Sequence, residues 1–393
     1  KTTKEFYTSC NNFINLAARM LKYKYAHEDT IRKICINSCQ IFLESYLKSD
    51  NKEIEIDKAA HKMCDMVLLE AKQEYTLFLN NFLYKLHVND TINIGRIEIA
   101  PANTIKEMKN FPENCVLDID EHKNISLQII DDTFVFSVTS LIWKVKVQAT
   151  IKNALEEAKW YIDILLSLVR ILIPLHGYIP EIGMVEPHPF HYSGIQNQYL
   201  YTNDKGNFQF SGISTTPWYE LDKQAIDIFK SEKFQSIADT LFNPDSKSLA
   251  IRVGQGLGWL SRGRQSSDRS NRLLYFFTAL ESLLTANDKS EPVVQTISRH
   301  LSVILEQDPH NREIIYNSIK HLYSIRSDVV HAGKRDVLWN EVNKLQKIAE
   351  ESFKIVLEHI DLKISQENFI KSLSRASHGI QWELLSNPSH QNQ

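Results

Sequence analysis

The sequence predicts a mostly helical α+β protein, with a helical amino-terminal region that carries a small antiparallel sheet and a carboxy-terminal antiparallel helical bundle. Three observations predict it. Apolar residues recur every three or four positions over long stretches at both ends of the chain. Alternating, β-rich runs are confined to residues 92–150. The breakers Pro180, Pro187, Pro189, Pro217 and Pro244 separate these zones from the last helical stretch.

The elements follow in order. Cys35, Phe42, Leu43 and Tyr46, then Met63, Val67, Leu68 and Ala71, fall at helical spacing, so residues 1–90 are read as helices. Ile92, Ile94 and Ile97 open the strand zone. Ser126–Ile130 and Thr133–Val138 flank Asp131-Asp132, the pattern of a tight hairpin, and Trp143–Val147 alternates as a third strand. A long helix is expected over residues 151–173, ending before Pro174. Residues 176–245 are mixed. From Ser246 the helical stripes return: Leu273, Phe277, Leu280 and Leu284; Ile315, Ile319, Leu322, Ile325 and Val329; then Leu338, Val342, Leu345, Ala349, Phe353, Val356 and Ile360. Further helices are expected over residues 246–260 and 293–305. Pro292 suits a helix start and Gly333 a helix stop. The domain reading is a sensing or regulatory region over residues 1–245, a bundle over 246–362 and a polar tail over 363–393.

The chain has 393 residues, 43% hydrophobic and 24% charged, enough for two or three ordinary cores. Its formal net charge is -3, so a nucleic-acid surface has to be a local patch. The five cysteines, Cys10, Cys35, Cys39, Cys64 and Cys115, contain no CxxC pair, which fits a reduced, cytoplasmic setting. The densest apolar run, 161–175, contains Asp163 and Arg170 and is too short to span a bilayer, so no membrane partner is expected. The chain begins at Lys1 with no signal-like apolar core after it, so its natural start is expected upstream.

Chemistry concentrates in Leu322-Tyr-Ser-Ile-Arg326-Ser-Asp-Val-Val-His331-Ala-Gly333. On a helix, Arg326 follows Leu322 by four and sits at the edge of the apolar stripe. His331 lies at the fraying end. In Phe277-Thr-Ala-Leu-Glu281, Glu281 occupies the same kind of edge. A charge there needs a partner, so Glu281 and Arg326 are expected to pair or to face one polar cleft.

These two stretches, Asn271–Leu284 and Leu322–Gly333, resemble the Apea-like branch of the HEPN superfamily over about residues 246–360. That branch is a helical bundle with an Arg-four-residues-His signature. Ser327 matches its small polar residue after the Arg, while Ala332 intervenes before the Gly that commonly follows the His directly. The resemblance implies a metal-independent endoribonuclease without cofactor, composite across a homodimer or higher homo-oligomer. It also implies a toxin-like role in prokaryotic anti-phage defence or abortive infection, restrained by a regulator or released by a phage-derived trigger. The residues fit that chemistry. RNA supplies its own 2′-hydroxyl nucleophile, His331 can transfer the proton and Arg326 can bind the phosphate oxygens. Asp328 and Tyr323 are weaker candidates.

Arg262, Arg264, Arg269 and Arg272, with Arg252 upstream and Lys334 and Arg335 after the motif, form a basic strip expected to bind RNA. Trp259 and Tyr275 offer stacking faces. Gly254-Gln-Gly-Leu-Gly258 lacks the strand and Lys of a phosphate loop and reads as a close helix contact or turn. Cys35, Cys39, His61 and Cys64 read as buried helix residues rather than a zinc site, and His188 and His191 lack further ligands. Two other readings stay open: a non-catalytic HEPN-like module that binds a protein or RNA, and a nucleotide-binding scaffold around the glycine segment.

Overall fold

The computed structural model describes residues 73–86, 91–107, 113, 115–119, 125–129, 135–149, 151–173, 182–190, 200–202, 208–210, 219–285 and 292–382, with residues 4, 8, 12, 61, 65 and 69. The helices expected before residue 73, and Cys35, Cys39, Cys64 and His191, lie outside them. The fold is mostly helical with a small four-stranded antiparallel sheet. The chain divides into two compact units: Lys1–Phe78 with Lys144–Trp160, and Leu79–Trp143 with Tyr161–Gln393. All the side chains discussed below as a site belong to the second.

The strands are β1 (Glu74–Asn80), β2 (Tyr84–Leu86), β3 (Ile92–Ile94), β4 (Ile97–Pro101), β5 (Cys115–Ile119), β6 (Ile125–Ile129), β7 (Val135–Val138), β8 (Leu141–Gln148), β9 (Leu200–Thr202), β10 (Phe208–Phe210) and β11 (Tyr219–Leu221). β1 and β2 correct the helical reading of residues 74–86. Glu74-Tyr-Thr-Leu-Phe-Leu-Asn80 is rich in residues that suit a pleated, half-buried surface, and the sheet decides its conformation. The two strands of the expected hairpin pair antiparallel as β6 and β7, with Ile125 opposite Val138 and Gln128 opposite Val135, while the Asp131-Asp132 turn lies outside the described residues. The Trp143–Val147 strand does not join them. β5 completes that three-stranded sheet, while β8 lies in the four-stranded sheet of order β1-β8-β4-β3. Gly95 closes the β3–β4 hairpin at φ +55°.

The helices are α1 (Ile151–Leu172), α2 (Lys223–Phe229), α3 (Glu232–Phe242), α4 (Leu249–Gln265), α5 (Arg269–Leu284), α6 (Val293–Leu305), α7 (Pro309–Ala332), α8 (Trp339–His359) and α9 (Gln366–Ser377). Their starts are written in the sequence. Asp222, Ser231, Asp268, Asp308 and Ser365 each accept a hydrogen bond from a backbone N–H of the first turn. Pro292 is the cap of α6 and Pro309 opens α7. Gly333 ends α7 in the left-handed conformation, φ 64°.

The bundle packs α4 on α5, α5 on α8, and α6 on both α7 and α9. Leu273, Phe277, Leu280 and Leu284 of α5 are fully buried, as are Val342, Leu345, Ala349, Phe353 and Val356 of α8. Leu338, expected in that stripe, caps α8 and is exposed. On α7 only Ile319 and Leu322 are buried, and Ile325 and Val329 are half covered. The expected tail contains α9, which buries Phe369, Leu373 and Ala376. Gly256 and Gly263 of α4 are close-contact positions. A Cβ at Gly256 would lie 2.2 Å from the Phe353 ring, and one at Gly263 2.5 Å from Phe276.

Candidate functional site

Arg326 and Glu281 meet. Arg326 Nη2 lies 3.4 Å from Glu281 Oε1, with the side chains 23% and 25% exposed. α5 brings Glu281 to this point because Phe277, one turn earlier, is locked in the core. α7 brings Arg326 because Leu322, one turn earlier, is buried. Tyr323 completes the group. Its ring packs edge-on against Phe277 at 5.3 Å between centroids, and the Arg326 guanidinium lies 5.2 Å from its centroid. Burial raises the Glu281 carboxyl above the ordinary carboxylate value, and Arg326 and the Tyr323 hydroxyl pull it part of the way back. Burial and Glu281 raise the Tyr323 phenol. Neither Arg326 Nε nor Glu281 Oε1 has a hydrogen-bond partner among the described residues. The ion pair is long, and the guanidinium is not saturated by it.

His331 is exposed in the last turn of α7. Ser327 is half-buried. Asp328 is exposed and receives Lys334 Nζ at 2.7 Å. Arg335 is 83% exposed and pairs with Asp268 at 3.3 Å. Asp268 is the cap of α5, and its N–H contacts, that of Asn271 foremost, hold its carboxyl below the usual range.

The basic strip does not form one surface. Arg264 and Arg272 are fully buried, which removes them from any solvent-facing strip. Arg262 is half-buried, pairs with Asp163 at 3.3 Å and lies 5.5 Å from the Trp259 ring centre. Trp259 and Tyr275 stack on each other at 5.5 Å and 20°. Arg269 is half-buried, and Arg252 donates to Gln366 Oε1 at 2.9 Å. The spacing that suggests a strip is helical, and a helix distributes successive arginines around its circumference, toward core and solvent alike.

The two buried arginines belong to a network that sequence reasoning did not find. Glu186 accepts a hydrogen bond from Arg170 Nη1 at 2.8 Å and lies in ion-pair contact with Arg264 Nε at 3.0 Å. Glu350 lies 3.1 Å from Arg170 Nε and 3.7 Å from Arg264 Nη1. Arg264 Nη2 donates to Ser167 Oγ at 2.8 Å, which donates to Leu257 O at 2.6 Å. Arg272 Nη1 donates to Arg264 O (2.8 Å) and Ser266 O (3.2 Å) and Nη2 to Gln346 Oε1 (2.9 Å). Two guanidinium groups, those of Arg170 and Arg264, thus share two carboxylates, and a third, Arg272, joins the network through carbonyls and Gln346. The excess charge falls on Arg272, where α4 ends and its last carbonyls carry partial negative charge. Burial, with the neighbouring Arg264 and Arg170, still pushes its guanidinium down to about 10. Alongside, Asp163 accepts from Ser261 Oγ (2.9 Å) and Gln265 Nε2 (3.0 Å), and burial raises its carboxyl. The signal was present in α1, where Asp163, Ser167 and Arg170 stand at helical spacing inside an otherwise apolar run.

No protein-family model, curated protein or solved structure matches the chain.

Among the described residues no group of three or more His, Cys, Asp or Glu is placed to hold a metal ion. His188 accepts the Phe190 N–H at its own Nδ1, 3.2 Å. No described helix is long and apolar enough to cross a membrane.

Proposed function

We propose that the chain is a HEPN-type, metal-independent endoribonuclease of the cytoplasm, with a toxin-like role in prokaryotic defence and an amino-terminal part that restrains it. The observation that carries this reading is the state of Arg326. Glu281 and Tyr323 hold its guanidinium at the bundle edge through a long ion pair, with the side chain 23% exposed. One turn on, the same helix ends at an exposed histidine. A guanidinium so held can bind the phosphate oxygens where charge accumulates in the transition state. A solvent-facing imidazole can take the 2′-hydroxyl proton or protonate the 5′-oxygen. The expected products are a 2′,3′-cyclic phosphate and a free 5′-hydroxyl. In-line attack calls for a base and an acid on opposite sides. One chain supplies one histidine here, so two copies of the α7 end would complete the site.

The alternative is a non-catalytic module of the same architecture. Lys334 and Arg335 already have carboxylate partners, and Arg326 is only 23% exposed, as a purely structural pair would be. Incubating wild type and His331→Ala with total RNA separates the two. Loss of cleavage by about a hundredfold or more is expected for a general acid–base residue. No cleavage by wild type under any salt or concentration, with binding intact, supports the module.

A further inference from the structure

Trp339 is the first residue of α8 and keeps 38% of its surface exposed. Behind it lies Arg272, fully buried, with its guanidinium carbon 5.6 Å from the indole centre. Arg272 is itself fixed by Arg264 O, Ser266 O and Gln346 Oε1. The ring is therefore seated against an immobile cation, an attractive contact that also limits its rotamers. An aromatic face ordered before binding loses little freedom when a planar ligand lands on it.

Its surroundings name the ligand. His331 and Trp339 are eight residues apart, so their backbones are separated by at most about 29 Å even if that stretch were fully extended. Between them, the connection from α7 to α8 carries Lys334 and Arg335, both exposed. Asp268 and Arg272 stand one turn apart at the start of α5, so Arg335 and Trp339 engage the same turn. The pairs Lys334–Asp328 and Arg335–Asp268 are solvent-exposed, and such pairs contribute little. Phosphate oxygens can replace either carboxylate, with Asp336 as the one opposing charge on the connection itself. Two exchangeable cations beside a preset indole match a sugar-phosphate strand with an unstacked base.

We propose that Trp339 is a stacking platform for an unpaired base of the RNA substrate, with Lys334 and Arg335 on the phosphates between that base and His331. This rests on the ribonuclease reading and adds a preference for single-stranded RNA, since a base within a duplex has no free face to offer.

The test is binding of a dye-labelled single-stranded RNA of mixed sequence to the full chain carrying His331→Ala, so that the RNA is not consumed. Trp339→Ala added to that chain should weaken binding by about five- to a hundredfold, the range for losing one base–aromatic stack. Trp339→Phe should stay within a few-fold. Trp339→Leu, which keeps bulk over Arg272 but no aromatic face, should behave as the Ala variant and serves if the Ala variant folds poorly. The salt dependence should keep its slope, because the phosphate contacts remain. A blunt RNA duplex should bind equally with and without Trp339. Unchanged single-strand affinity in the Ala and Leu variants, with a parent chain that binds RNA, overturns the platform alone. A parent chain that does not bind RNA, together with a wild type that does not cleave it, overturns the ribonuclease reading and the platform with it.

Discussion

Replacing Glu186 by Gln should be among the most destabilising isosteric changes in the chain. Glu186 is 7% exposed and serves Arg170, 10% exposed, and Arg264, fully buried. The change keeps the shape and one acceptor oxygen but removes one of two negative charges among three buried guanidinium groups. Breaking a buried pair from one side costs about 3–5 kcal/mol, because the remaining charge stays desolvated. Glu350 softens this, since it already touches both arginines, though at 3.1 and 3.7 Å and 17% exposed. The expected cost is therefore at the low end, about 3 kcal/mol. Urea unfolding followed by circular dichroism should show a lower midpoint with an unchanged slope. Glu350→Gln should cost less, being more exposed and more distant from Arg264. Combining Glu186→Gln with Arg264→Met restores the original charge balance and should be less destabilising than the sum of the single changes. A cost for Glu186→Gln below about 1 kcal/mol, or strict additivity in the double variant, would refute the claim that charge balance holds this junction.

Further predictions follow from single contacts. Gly256→Ala gains about 1 kcal/mol of helix propensity but places a Cβ 2.2 Å from Phe353, so a net loss of on the order of 1–2 kcal/mol is expected in the same unfolding assay. Asp268→Ala should cost about 1 kcal/mol at pH 7 for the lost cap, while Asp268→Asn keeps most of it. Because the folded Asp268 carboxyl titrates below its unfolded value of about 3.9, the charge-dependent part of its stabilisation is present above that pH and lost as pH falls through the lowered folded value. A wild-type advantage over Asp268→Asn that grew on acidification would contradict this. Glu281 has the opposite sign. Its folded carboxyl is raised, so its favourable contribution is complete below about 4.3 and disappears as pH rises through the folded value. The midpoint of wild type relative to Glu281→Gln should therefore drop between pH 4 and pH 7. If the site is shared by two copies, mixing His331→Ala with Arg326→Ala chains should recover cleavage that neither shows alone. Recovery that is absent while light scattering shows mixed dimers would argue against a composite site.

Much of the architecture was legible because it is local. The stripes of α5 and α8, the start at Pro292, the stop at Gly333 and the pairing of β6 with β7 each depend on residues within a few positions of one another. The expected meeting of Glu281 and Arg326 was also readable. Each follows a core residue by one turn, and a helix carries that offset faithfully from sequence into space. α9 was read as tail because its apolar face is narrow, Phe369, Leu373 and Ala376 amid polar residues, and only packing on α6 reveals the helix as part of the bundle.

What tertiary structure alone decided is which charges are inside. A string of arginines from Arg262 to Arg272 looks uniform along the chain, yet Arg264 and Arg272 are buried while Arg262 keeps a partly open face. Their partners, Arg170 and Ser167 on α1, Glu186 in the segment after it, and Gln346 and Glu350 on α8, are remote in sequence. No local pattern announces which carboxylate will neutralise which guanidinium. The strand character of Glu74–Asn80 is of the same kind, since a sheet strand is completed by neighbours that lie far along the chain. Propensity and spacing act over one or two turns. Desolvation of a charge depends on everything that surrounds it, so its sign and partner are set only when distant segments close around the site.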